Sequence, residues 1–115
     1  MVERINRFLL ESRDVLKGCR IGRMVWDSAI DEDDLARPIQ KYFRYIESRI
    51  VSALEQALAS GEIQDAVPPE NIAAIVLASF QGALTLGRAM QDSNCYATAI
   101  QGAVSLIDCA IKPGH

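Results

Sequence analysis

The chain has 115 residues, half of them apolar and 23% charged, with a net charge of −3. That length argues for one domain spanning residues 1–115, and that apolar content excludes a disordered chain. The acidic balance gives no sign of nucleic-acid affinity, and the bases, concentrated before residue 50, interleave with acids as in Glu3-Arg4, Arg13-Asp14 and Arg44-Glu47, the pattern of a solvated face.

No stretch alternates apolar and polar residues long enough to make a strand, so the whole chain reads as all-α, about five helices in an antiparallel bundle. The first predicted helix covers roughly Val2 to Leu16, with Ile5, Phe8, Leu9 and Leu16 on one face. Lys17-Gly18 breaks it. A second covers roughly Cys19 to Ile30, and Asp31-Glu32-Asp33-Asp34 separates it from a third. Carboxylates favour a helix N-terminus, where free N–H groups carry partial positive charge. The acidic run is read that way, because the glycine and distal glutamate of a calcium loop are missing. No metal site is expected.

The third helix is long, roughly Leu35 to Ser60, with the stripe Ile39, Phe43, Ile46, Ile50, Leu54 and Leu58. Pro38 belongs in its first turn or opens a new segment, since a proline deeper inside removes a hydrogen bond. Gly61 is the expected left-handed cap. Pro68-Pro69-Glu70 starts the fourth helix, which runs to about Met90, and Asp92 or Asn94 caps a fifth that runs to about Ile111.

Two runs in these last helices carry no charged side chain, Asn71 to Gly87 and Ser93 to Ile107. A chain this small has too little interior to enclose both on every side. The first is too short and too polar to span a membrane, so no membrane contact is expected. Instead the two runs ask for a partner surface, and a second copy of the chain is the obvious partner. On the fourth helix one face is bulky (Ile72, Val76, Phe80, Leu84) and another is small (Ser79, Ala83, Gly87); on the fifth, Ala99 and Ala103 share a row beside Gly102. Small residues let helix backbones approach, so Ser79, Ala83, Gly87, Ala99, Gly102 and Ala103 are the expected dimer interface, a four-helix arrangement of the last two helices of each copy.

Catalysis finds no support. The single histidine is His115 at the frayed end, no nucleophile has a base nearby in sequence, and no cofactor motif is present. Three cysteines without a Cys-x-x-Cys pair suit a reducing compartment, and no secretory leader is evident, so a cytoplasmic location is expected. Cys19 and Cys95 fall in first helical turns, where a thiolate is favoured and oxidants can be sensed. The commoner role of each is a small buried hydrophobe, as expected for Cys109.

An ordered set of short segments points to a family. Gly18-Cys19-Arg20-Ile21-Gly22 opens a helix; after the acidic break, the long helix ends in Ala59-Ser60-Gly61-Glu62-Ile63. Pro69-Glu70-Asn71-Ile72-Ala73, Gln81-Gly82-Ala83-Leu84 and Arg88-Ala89 follow. From about residue 1 to 111, this series resembles the C-terminal domain of TetR-type transcriptional regulators. The specificity lies in the order and distances, since each piece alone is only a good helix ending or start.

The resemblance implies a homodimer whose last two helices form a four-helix interface, with a small hydrophobic ligand bound in each subunit. Ligand binding would release operator DNA held by an N-terminal helix-turn-helix. No helix-turn-helix pattern precedes this domain in the chain, so binding to an operator by this chain alone is not expected. The ligand is expected where the first four helices converge, with Cys19, Met24, Trp26, Phe43, Ile46 and Phe80 as candidates; each could equally be an ordinary core residue. The other open reading is a helical dimerisation module with no ligand, acting by pairing with a full-length regulator.

Overall fold

The computed structural model describes residues 33–113, which form three helices: α1 Asp33–Ser60, α2 Pro69–Met90 and α3 Ser93–Ile111. They correspond to the third, fourth and fifth predicted helices; the first two fall outside the described residues. Among the described residues there is no strand, and the all-α reading holds.

α1 is amphipathic on the expected stripe. Ile39, Ile50 and Leu54 are buried, and Phe43, Ile46 and Leu58 are half-buried. Pro38 departs from expectation, for it sits inside the helix, five residues after Asp33. Its missing N–H would have bonded to the carbonyl of residue 34, so one hydrogen bond is forgone near the end of α1 without breaking it. The opposite end closes as its glycine dictates. Gly61 adopts φ 79°, its N–H donates to Leu58 O at 3.2 Å, and Glu62 N–H donates to Ala57 O at 3.0 Å. This double bond pattern satisfies carbonyls the last turn leaves free, and it delivers Ile63 into the core.

Between α1 and α2, Gln64 ties the connection to the far end of the chain. Its backbone N–H donates to Ile111 O at 2.8 Å and its side-chain amide to Ala110 O at 3.0 Å. Both acceptors are among the last carbonyls of α3, which have no partner within their own helix. α2 then starts at Pro69, with Glu70 in the first turn. Proline gives up no bond there and the carboxylate faces the positive helix end.

A two-residue turn separates α2 from α3. Gln91 is left-handed at φ 49°, an uncommon conformation for a residue with a Cβ. Its side-chain amide donates to Arg88 O at 2.7 Å, and the N–H groups of Gln91 and Asp92 donate to Arg88 O and Gly87 O. Asp92 caps α3, its carboxylate accepting from Asn94 N–H at 2.9 Å. α2 and α3 thereby fold back as an antiparallel hairpin, and α1 packs against α2.

The core lies where the three helices meet. Leu54 and Ala57 of α1, Ala73, Val76, Phe80, Ala83 and Leu84 of α2, and Tyr96, Ile100, Ile107 and Ile111 of α3 form one cluster, most of them under 5% exposed. No polar or charged side chain is buried among the described residues. Burying each large aliphatic side chain is worth about 1.5–3 kcal/mol, so this cluster carries the stability of the hairpin on α1.

Candidate functional site

The hairpin has a second face that the core does not use. Along α2, Asn71, Ile75, Ala78, Gly82, Thr85 and Ala89 recur at steps of four and three and are all exposed. Along α3, Cys95, Ala99, Gly102, Leu106 and Cys109 follow the same steps, half-buried in the first turns and exposed beyond. This alternation is the spacing of a helix-packing seam. Neither row contains a charged residue, although apart from Ala99, which packs against the core, both lie on the side away from it. Ile75 is 55% exposed, Leu86 49%, Met90 64% and Leu106 75%. Counted from the turn, Gly82 lies about 14 Å up α2 and Gly102 about 15 Å up α3, so the two glycines stand at the same height. A Cβ at either would meet nothing within 4 Å; here the surface is flattest.

An open cleft of about 540 Å³ lies between the N-terminal part of α2 and the C-terminal part of α3, lined by Val67, Asn71, Ile72, Ala74 and Ile75 opposite Leu106, Ile107, Ala110 and Ile111. Asn71 is its sole polar side chain. Isolated exposed apolar residues are ordinary on a protein surface, but a contiguous charge-free face marks an interaction site.

The expected interface residues divide. Gly102 is on the open face. Ser79, Ala99 and Ala103 are half-buried. Ala83, 1% exposed, and Gly87 are buried within the chain itself, so their smallness serves packing inside one protomer. Sequence reasoning did not single out Ile75, Ala78, Gly82, Leu86 and Leu106, which the structure leaves exposed; a helical wheel shows two apolar sides but not which one faces the core. Cys109 is corrected for the same reason: expected in the core, it is exposed, while Cys95 is half-buried.

The expected ligand residues do not come together among the described residues. Cys19, Met24 and Trp26 lie outside them. Phe80 is buried in the core cluster, Ile46 packs against it, and Phe43 is half-buried, its ring edge-to-face with Tyr42 at 5.4 Å and 73°. No group of three or more His, Cys, Asp or Glu side chains gathers among the described residues. α2 is long and apolar enough to cross a membrane by length and composition, yet its Ile72, Val76, Phe80 and Leu84 are buried in the protein's own core, as in the core helix of a folded domain.

Comparisons with known proteins agree with this architecture. The curated proteins offer no match. Among solved structures, the chain is similar to a TetR transcriptional regulator from Chloroflexus aurantiacus J-10-fl, with a TM-score of 0.87 and 20% identity. The match covers 96% of this chain and 59% of that one, so the fold corresponds to a little over half of the regulator. Residues 3–103 match the family described as "Tetracyclin repressor-like, C-terminal domain", and the chain belongs to that family of transcriptional-regulator domains.

Proposed function

We propose that this chain is the effector-binding and homodimerisation domain of a cytoplasmic TetR-type transcriptional regulator, which represses transcription when joined to a helix-turn-helix. The observation that carries the dimer is the charge-free face of α2 and α3, on which Leu106 is 75% exposed. Two helices about 33 Å and about 28 Å long, each about 10 Å wide, offer roughly 600 Å², approaching the about 800 Å² per partner of a stable interface. A second copy presents the same surface, as a two-fold interface requires. Bound ligand would bias the spacing of the two DNA-reading heads by its differential affinity for two dimer geometries.

A second reading is an interaction module without a ligand, which pairs with a full-length regulator. It is favoured by the cleft's lining, which comes from α2 and α3, the two helices of the partner face, and from Val67 before them. A thermal-melt screen of small hydrophobic compounds separates the two. A ligand present at 100 times its dissociation constant adds about 2.7 kcal/mol to stability; a dimer that no compound stabilises favours the module.

A further inference from the structure

The first half of α1 turns a surface of a different kind outward. Opposite its buried and half-buried isoleucines, Arg37, Lys41 and Arg44 follow at steps of four and three, all exposed. Tyr42, Tyr45 and Arg49 form the row beside them, also exposed. No acid lies on this side between Arg37 and Arg49, since Glu47 is half-buried at its edge. Beyond residue 50 the balance reverses, with six acids against two bases.

The tyrosines are already held in place. Tyr45 is 61% exposed, yet the Arg49 guanidinium lies 6.0 Å from its ring centroid and donates to its hydroxyl oxygen at 3.5 Å. Tyr42, 41% exposed, stands edge-to-face against Phe43. Side chains ordered beforehand lose less freedom when a partner covers them. Tyrosine and arginine are also the residue types that most often carry the binding energy of protein interfaces.

We propose that this face of α1 docks an acidic helical segment of another protein, its carboxylates set at four- and three-residue steps. The inference does not depend on the dimer proposed for α2 and α3. Helices running side by side rise equally per residue, so such carboxylates come level with Arg37, Lys41 and Arg44, about 6 Å and about 4.5 Å apart along the axis. Tyr42 and Tyr45 flank that row with apolar rings and hydroxyl groups. A nucleic acid is the poorer occupant, because its phosphates feel the field of the whole molecule, which carries a net charge of −3. Charge complementarity raises on-rate and selectivity more than affinity, so the complex is transient and weakens with salt.

The test is fluorescence anisotropy of the full chain at low salt with three labelled probes. One is an alanine-based helical peptide of about 20 residues with glutamate at the four- and three-residue steps. The second carries lysine at those positions, and the third is an oligothymidylate. The glutamate peptide should bind and the lysine peptide should not. The exposed pair Lys41→Glu/Arg44→Glu should weaken binding at least tenfold with helical circular dichroism unchanged. Tyr45→Ala should weaken it while leaving the salt dependence as it was. Lys112→Glu, an exposed base off this face, should change affinity less than twofold. Absence of glutamate-peptide binding overturns the proposal. So does an equal loss in Lys112→Glu, which would assign binding to net charge, and so does tighter binding of the oligothymidylate, which would make the occupant a nucleic acid.

Discussion

The two faces of the α2–α3 hairpin are built from similar residue types and meet opposite fates. The inward face holds Val76, Ala83, Leu84, Ile100 and Ile111, each 3% exposed or less, and the outward face holds Ile75, Leu86 and Leu106, each about half exposed or more. Gly82 and Ala83 show the contrast at its sharpest: adjacent in sequence, one has no neighbour where a side chain would go and the other is 1% exposed. A helix apolar on all sides thus covers its own core with one face and leaves the other open to a surface outside the protomer. Composition reports the sum of those demands and not their directions.

Substitutions can break this comparison or sharpen it. The largest effect is expected from Ala83→Glu, which buries an unpaired carboxylate in the protomer core at a cost of several kcal/mol. The variant should lose its helical circular dichroism and not merely its partner; a folded monomer would place Ala83 on the outer face after all. Leu54→Ala, at a fully buried site under the inward face, should cost about 2–5 kcal/mol, read from urea unfolding of the dimer at fixed concentration. A loss below 1 kcal/mol would mean that α1 contributes little to the inward core.

Smaller effects probe the joints that hold the two faces in register. Gln64→Ala removes one side-chain bond to Ala110 O and should cost about 0.5–1.5 kcal/mol. Gln91→Gly relieves a left-handed residue at the turn and should stabilise by about 0.5–1 kcal/mol, the backbone gain being offset in part by the lost bond to Arg88 O. A fall in melting temperature on Gln91→Gly would show that the side-chain bond outweighs the backbone strain.

Much of the described fold was legible because its signals are local. Gly61 announced its own positive φ, Pro68-Pro69-Glu70 announced a helix start, and Asp92 announced a cap, each through a chemistry that needs no distant partner. The bulky row Ile72, Val76, Phe80 and Leu84 was legible too, since large side chains at four-residue steps share one face and are all buried. What stayed hidden was global. With no charged residue between Asn71 and Gly87, nothing marks the solvent side, so the small row Ser79, Ala83 and Gly87 and the small row Ala78, Gly82 and Ala89 look alike. Cys109 was misplaced for the same reason. The turn at Gln91 hid because no glycine marks it, and the cleft hid because it lies between two helices, which no single helix encodes. Of the ligand residues inferred from resemblance, Phe43, Ile46 and Phe80 have ordinary packing roles open to them, and their part in binding is a matter for ligand titration.

The central claim, that the outward face is a protein-binding surface and the inward one is not, is tested most directly by native mass spectrometry of the unaltered chain beside Gly82→Glu. A side chain at Gly82 meets nothing within 4 Å in the protomer, and replacing a mid-helix glycine favours the helix by about 0.5–1 kcal/mol. The account predicts a dimer for the unaltered chain and a folded, helical monomer for Gly82→Glu. A dimer in both, or a monomer in both, would contradict it.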